Sequence, residues 1–306
     1  MSMELLFPIL CTVIVIIAIL LTVKTERKKN RYSPFSEPML RSPGYSLSRK
    51  IDTLNDNVVD NLLLALILPL IASLAYSNLH LGWFGTILFT LIVGIVFIFA
   101  LKKLVNLFKE IRNYRLGLDG EIYTGQELNY LMREGAWVYH DIPYQYGNID
   151  HVVVSKGGIF CVETKARRKP HKEYKVKFDG EKLAYPDYKT DEPIKQAKRH
   201  AEYLYKHLLE KTGFKFPVIP IVALPGWYVE VDKTKRNDVL VITPKRGQFL
   251  TKNVKEEQIP GDKLPLANGL IESYARDIES DADLTDPNAH EKYSFLFKRK
   301  KNDPKF

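Results

Sequence analysis

Cysteine is almost absent from this chain of 306 residues, which has only Cys11 and Cys161. One lies in a long apolar run and the other in a run that reads as a buried strand, so neither a disulfide framework nor a cysteine metal site follows. Internal repeats are also missing, which excludes a stacked-repeat architecture. Acidic residues are the minority charge: 45 Lys and Arg against 36 Asp and Glu leave a formal charge of +9. That balance favours anionic partners, either nucleic acid or lipid headgroups. The length accommodates a membrane region and one globular domain, at roughly 100–200 residues per domain.

Charge is absent from Leu5 to Val23, an apolar run long enough to cross the roughly 30 Å hydrocarbon core as a helix. A cleaved signal peptide is the competing reading. The preceding Met1-Ser2-Met3-Glu4 carries no positive charge, however, and no small-residue cleavage pattern follows Val23. Further apolar runs at 61–77 and 81–101 read as a helical hairpin about the polar turn Ser77–His80, with Pro69 interrupting the first of them. Lys24, Arg27, Lys28, Lys29, Arg31, Arg41, Arg49 and Lys50 follow the first span, and nothing basic precedes it. Lys102, Lys103, Lys109, Arg112 and Arg115 follow the third. The excess of basic residues on these flanks predicts an integral membrane protein in the lipid bilayer, N-terminus outside and C-terminal domain cytoplasmic. The spans contain no ionisable residue, which argues against a transport role.

Three regions are therefore expected: a membrane region over 1–110, a mixed domain over 111–280, and a charged tail over 281–306 that contains the Lys298-Arg299-Lys300-Lys301 run. In the mixed domain, Gly120-Glu121 signals the start of a helix that Gly135 stops. Trp137 to Tyr139 reads as a short strand. Ile149–Val154 and Ile159–Thr164 are β-branched and aromatic runs joined by Ser155-Lys156-Gly157-Gly158, a hairpin with a four-residue turn. Pro193 opens a helix with Ile194, Ala197, Ala201, Leu204 and Leu208 at helical spacing, closed by Gly213. Val218–Leu224 and Val239–Ile242 are further strands. The fold class is α/β, a mixed sheet flanked by helices and preceded by transmembrane helices.

With that turn, Asp150 faces Glu163 across the hairpin, and alternation puts Lys165 on the face of Glu163. Two facing carboxylates repel unless something positive lies between them, and a divalent cation is the obvious candidate. Hard oxygen ligands suit Mg²⁺ or Mn²⁺, which would polarise a phosphoryl oxygen and activate water, while Lys165 could orient that water or neutralise developing charge. On spacing alone, a surface hairpin with an ordinary Glu163–Lys165 ion pair remains an alternative. His151 alternates away from Asp150, which suits a structural hydrogen bond better than metal binding.

The residues Gly120-Glu121, Asn148-Ile149-Asp150-His151-Val152-Val153-Val154 and Gly158-Ile159-Phe160-Cys161-Val162-Glu163-Thr164-Lys165, with Pro193 and Gln196 later, resemble the NERD (nuclease-related) domain of the PD-(D/E)XK nuclease superfamily. The resemblance covers roughly Leu116 to Leu224. It implies a nuclease-like mixed sheet, metal held by Asp150, Glu163 and the Thr164 backbone carbonyl, hydrolysis assisted by Lys165, and Glu121 and Gln196 completing the catalytic set. For Glu121, a place at a helix N-terminus is a competing explanation. Ala166-Arg167-Arg168-Lys169 departs from the commoner pattern, which leaves substrate approach open there.

Arg167, Arg168, Lys169, Lys172, Lys195 and Arg199 are the expected nucleic-acid contacts, in a basic stretch interleaved with Tyr174 and Phe178. A solvated basic loop, or one that touches anionic lipid, is the bland reading of the same residues. No base-reading motif is visible. The expectation is a membrane-anchored, metal-dependent nuclease of low sequence specificity acting on DNA or RNA. The alternative is a catalytically inactive nuclease-fold module that binds nucleic acid or protein at the membrane.

Overall fold

The computed structural model describes residues 14–23, 25, 38–78, 82–144, 147–170, 173–232, 234, 237–252 and 259–276. Residues 5–13 of the first expected span, the basic residues Lys24, Arg27, Lys28, Lys29 and Arg31, the strip residue Lys172 and the tail from 281 lie outside these. The chain divides into two compact units, residues 1–34 with 46–119, and residues 35–45 with 120–306.

The first unit contains α1 (Ile14–Val23), most of α2 (Tyr45–Asn78) and the larger part of α3 (Trp83–Asn129). Ile51, Leu54 and Val58 recur on one face of α2 and pack with Leu107, Ile111, Tyr114 and Leu118 of α3, the spacing of two amphipathic helices sharing a seam. Nearer the start of α3, Phe84, Ile87, Leu91, Ile95 and Phe99 are exposed. Among the described residues one helix, Trp83–Glu134, is long and apolar enough to cross a membrane by length and composition. It takes in the expected third span from Trp83 onward. The expected second span forms the latter half of α2, with Pro69 inside the helix.

The second unit is mixed α/β. Its five-stranded sheet has the order β1 (Trp137–Tyr144), β2 (Gly147–Ser155), β3 (Gly158–Thr164), β7 (Val218–Ala223), β9 (Leu240–Ile242). The first three strands are antiparallel, and β3, β7 and β9 run parallel. Period-two alternation divides the side chains between two cores. Val152, Val154, Ile159 and Cys161 pack with α4 (Glu192–Thr212) and α6 (Leu264–Ala275). Val153, Phe160 and Val162 pack with Leu128 and Leu131, and with Leu250 of the short helix α5 (Phe249–Lys252). Each such side chain contributes about 1.5–3 kcal/mol when fully buried, so β2 and β3 anchor whatever they carry.

The β2–β3 register is the expected one, with His151 opposite Val162 and Val154 opposite Ile159. The turn is shorter than expected. Ser155 also pairs with Gly158, so the loop proper is Lys156-Gly157, because backbone pairing continues one step beyond the last apolar pair. A larger correction concerns Gly120. No helix starts there: α3 runs unbroken to Asn129 and passes into a 3₁₀ turn, Tyr130–Glu134, that ends at Gly135 in the left-handed region. A mid-helix glycine costs about 1 kcal/mol relative to alanine, which does not stop a helix held by packing. At Gly120 the missing side chain permits close approach, since a Cβ there would lie 2.4 Å from the Cβ of Ala166, just past β3.

A second sheet has the order β6 (Lys189–Thr190), β5 (Leu183–Ala184), β4 (Lys175–Phe178), β8 (Tyr228–Val231). It was not foreseen, because its strands are only two to four residues long. In β4 the basic stretch alternates: Lys175 and Lys177 point out while Val176 and Phe178 enter the core. A strap of residues 38–45 also belongs to this unit. Leu40 bridges Arg276, the Arg41 N–H donates to the Ala275 carbonyl at 2.8 Å, and Arg276 Nη1 donates to the Pro38 carbonyl at 2.9 Å.

Replacing Gly120 by Val is expected to lower stability by about 1–3 kcal/mol through forced overlap with Ala166. Gly269→Ala, at an exposed position of α6 with nothing within 4 Å of the new Cβ, is expected to be neutral or to stabilise by up to about 1 kcal/mol. Thermal unfolding of the two variants side by side checks the pair, and equal effects would show that Gly120 has no packing role.

Candidate functional site

Asp150 and Glu163 project from adjacent strands and are both buried. The ladder stops one pair short of them, and Asp150 Oδ2 instead accepts the backbone N–H of Thr164 at 2.7 Å. Glu163 Oε1 lies 2.6 Å from Lys165 Nζ. The expected Glu163–Lys165 ion pair therefore exists, but its carboxylate is in the interior rather than on a surface hairpin. On its other side, Glu163 Oε2 is 3.0 Å from His200 Nδ1, at ion-pair distance without hydrogen-bond alignment.

Glu121 reaches the same place from α3. Its Oε2 is buried without a hydrogen-bond partner among the described residues. Burial, and then the charges of Asp141 and Glu163, push its pKa from 4.5 up to about 8, against smaller downward pulls from Lys165 and the Gly44 backbone. Because α3 is continuous here, capping of a helix N-terminus does not account for Glu121. Burial, then Glu163 and Glu121, likewise hold Asp150 well above the ordinary carboxylate range. Burial opposes the charge on Lys165, but Glu163, Asp150 and Glu121 outweigh it and raise its pKa. Three carboxyl groups and one ammonium thus share a poorly solvated volume. Gln196 lies on α4 one turn before His200 and is half-buried. No described contact joins it to the carboxylates.

Two members of the site went unread in the sequence. His200 sits on the buried face of α4 beside Ala197, Ala201 and Leu204. An imidazole at core spacing, four residues after Gln196, was the available signal. Asp141 is fully buried and has φ 51°, a left-handed conformation that aspartate tolerates better than most residues. The β1–β2 ladder pairs His140 with His151 and Ile142 with Ile149, and it skips Asp141 and Asp150, which like-charge repulsion would disfavour as a direct pair. Asp141 Oδ1 accepts from Asn148 Nδ2 at 2.8 Å, and its carbonyl accepts from Arg41 Nη1 at 3.2 Å. Arg41, counted in the sequence among the cations flanking a membrane span, is instead a buried partner of this aspartate. His151 turns away from the site, and its Nδ1 meets Nδ1 of His140 at 2.9 Å.

A hard dication suits this donor set: clustered carboxylates, two of them, Glu121 and Glu163, each with a buried oxygen that has no hydrogen-bond partner among the described residues. Among the described residues, no group of three His, Cys, Asp or Glu side chains is arranged to hold an ion. Mg²⁺ commonly takes one or two protein carboxylates and fills its remaining positions with water or substrate phosphate.

The expected basic contacts are differently engaged. Arg167 pairs with Asp187 at 2.5 Å and lies over the Tyr188 ring at 3.9 Å. Lys169 approaches Trp227 at 5.9 Å, and Arg168 is exposed. On α4, Lys195 pairs with Asp191 at 3.0 Å and Arg199 with Glu192 at 2.9 Å. Such exposed pairs contribute at most about 1 kcal/mol and open readily to another anion. Phe178, expected within the strip, is a core residue.

A family model described as NERD, nuclease-related domain, matches residues 116–225. No curated protein and no solved structure matches the chain.

The raised pKa of Glu121 has a pH signature. Between about 4.5 and about 8 the folded protein holds a proton that the unfolded chain releases, so this group lowers stability as pH rises through that window and adds nothing further above it. In chelator, Glu121→Gln is expected to gain stability relative to the parent as pH rises from 4.5 to 8. Unfolding curves at several pH values test this, and a constant parent-to-variant difference would refute it.

Proposed function

Because residues 116–225 match the family model of the nuclease-related (NERD) domain, we propose that this chain is a membrane-anchored, divalent-metal-dependent nuclease that hydrolyses phosphodiester bonds of DNA or RNA with little sequence specificity. The observation that carries this reading is the burial of Glu121, Asp150 and Glu163 around one lysine ammonium. Such a concentration of acid costs stability, and a site for phosphoryl chemistry supplies a reason for it.

Asp150, Glu163 and the Thr164 carbonyl would hold Mg²⁺ or Mn²⁺. When bound, the ion polarises the phosphoryl group and makes water acidic enough to attack at neutral pH. Lys165 Nζ, held by Glu163 Oε1, places positive charge beside the phosphorus and offsets the charge that develops on its oxygens. Glu121 holds a proton near neutrality and is a reservoir for one during turnover. His200 approaches the Glu163 carboxylate from the α4 side, with Nδ1 3.0 Å from Oε2. Gln196, one turn away, is assigned to water or phosphate positioning. Arg167, Arg168, Lys169, Lys172, Lys195 and Arg199 supply cations that track the backbone of the substrate without reading bases.

The membrane part of the proposal rests on the apolar length of α3 and on the basic flanks, which favour a cytoplasmic domain with the N-terminus outside. One observation favours a second reading, a catalytically inactive module that binds nucleic acid or protein at the membrane. Glu163 is already engaged by Lys165 and approached by His200, and no three-ligand group stands ready among the described residues.

Full-length protein in detergent is expected to cleave nucleic acid with Mg²⁺ or Mn²⁺ and to stop in chelator. Asp150→Ala and Glu163→Ala should fall to background, and Lys165→Ala should lose about 100-fold or more. Activity in chelator, or in both carboxylate variants, removes the proposed mechanism. Binding without turnover that survives loss of both carboxylates establishes the inactive module.

A further inference from the structure

The outer face of the second sheet carries exposed aromatic rings set among cations. Tyr174 immediately precedes β4 and Tyr228 opens β8, and both are exposed, at 50% and 41%. They are held side by side by a hydrogen bond from the Tyr228 N–H to the Tyr174 carbonyl at 2.7 Å, and their ring centroids lie 6.5 Å apart, edge to face. Arg246 lies over the Tyr228 ring at 5.4 Å. Tyr228 is the register partner of Lys175, and Lys177 follows on the same outward face.

The acids of this surface are few and mostly matched. Asp187 is taken by Arg167 and Glu230 by Lys175, while Glu173 is exposed beside Tyr174. Arg168, Lys169, Lys177 and Arg246 have no carboxylate partner among the described residues. Arg246 also borders a cleft where the edge strands of the two sheets, β8 and β9, come together. Val229, Val231, Val239 and Val241 line it, with Asn237, whose buried Oδ1 has no hydrogen-bond partner among the described residues.

The face is joined to the acidic site by a short stretch of chain. The Lys165 N–H donates to the Ala223 carbonyl at 2.9 Å. Tyr228 follows Ala223 closely enough that the two lie within about 17 Å at full extension, at roughly 3.4 Å per residue. A strand whose phosphodiester lies at Lys165 can therefore reach the tyrosines with neighbouring nucleotides.

We infer that Tyr174 and Tyr228 form a base-stacking platform, so that the substrate is single-stranded nucleic acid whose bases lie on these rings while Arg246, Lys169 and Lys177 hold its phosphates. This rests on the reading of the chain as a nucleic-acid enzyme or binding module. Duplex is excluded as the primary ligand because its base faces are already stacked on each other, whereas an exposed ring gains about 1–3 kcal/mol only from an unstacked base. The apolar cleft that Arg246 shares with the Tyr228 ring, with its unpaired acceptor at Asn237, suits the flat face and amino edge of a base better than a lipid headgroup.

The test is binding by full-length protein in detergent, with chelator present so that nothing is cleaved. The probes are a fluorescent single strand, the same strand in a duplex, a strand of equal length made wholly of abasic nucleotides, and vesicles rich in anionic lipid. The single strand is expected to bind at least tenfold tighter than the duplex or the abasic strand. Tyr174→Ala and Tyr228→Ala should each weaken it about tenfold, while Tyr174→Phe and Tyr228→Phe keep binding and report that the fold is intact. Equal affinity for the abasic strand, unchanged binding in a folded double-alanine variant, or loss of vesicle binding alone would each overturn the platform. Cleavage with metal is read separately. Tyrosine-dependent binding in a protein that never cleaves sinks the nuclease and leaves the platform, and cleavage without tyrosine dependence does the reverse.

Discussion

Bringing Glu121, Asp150 and Glu163 together in the interior is the constraint around which the second unit is organised. Three carboxyl groups with little water cannot all be charged, and Glu121 responds by holding its proton to about pH 8. The ones that ionise need donors fixed in advance, because a loose partner would not offset the loss of hydration. These donors come from elements already committed to the core. Lys165 and the Thr164 N–H lie just past and at the end of β3, and the Gly44 N–H lies in the strap, where Arg41 meets the neighbouring Asp141. The apolar stretches of β2 and β3 are the counterweight. Val152, Val153, Val154, Ile159 and Phe160 are fully buried, and they hold the two acid-bearing strand ends against their mutual repulsion.

The local part of this arrangement was legible in the chain. Register in a hairpin follows from a turn and an alternating pattern, so the nearness of Asp150, Glu163 and Lys165 could be read from spacing, as could α4 between Pro193 and Gly213. What escaped was set by distant contacts. Nothing near Gly120 says that a helix begun at Trp83 will pass through it, because Ala166, which the missing Cβ makes room for, lies far along the chain. Asp141 lies beyond the strand read at Trp137 to Tyr139; its left-handed backbone answers to Asp150 across the ladder and to Arg41 in the strap. The second sheet pairs strands of two to four residues, too short for alternation to stand out from a basic loop.

The aromatic residues divide along the same line. Phe178 and Trp227 alternate into the core between the sheets, while Tyr174, Tyr188 and Tyr228 stay outside with cations about them. The sequence interleaves these rings with lysine and arginine without distinguishing the two fates. Only pairing in register separates rings that stabilise the fold from rings left exposed for a partner.

The strap changes what counts as the domain. Residues 46–119 are inserted between it and the body of the second unit, so a fragment that begins after the apolar helices lacks Arg41 and the Gly44 N–H. Asp141 is fully buried and within 3.6 Å of that guanidinium, and removing one partner of a buried pair costs about 3–5 kcal/mol. Its charge is also among the causes that raise Glu121. A truncated domain would therefore carry an altered acidic cluster even if its sheet formed, and failure of such a fragment to cleave would say little about the whole chain. The apolar helices and the site are covalently interleaved, and the strap that helps neutralise the site is the stretch of chain between α1 and α2.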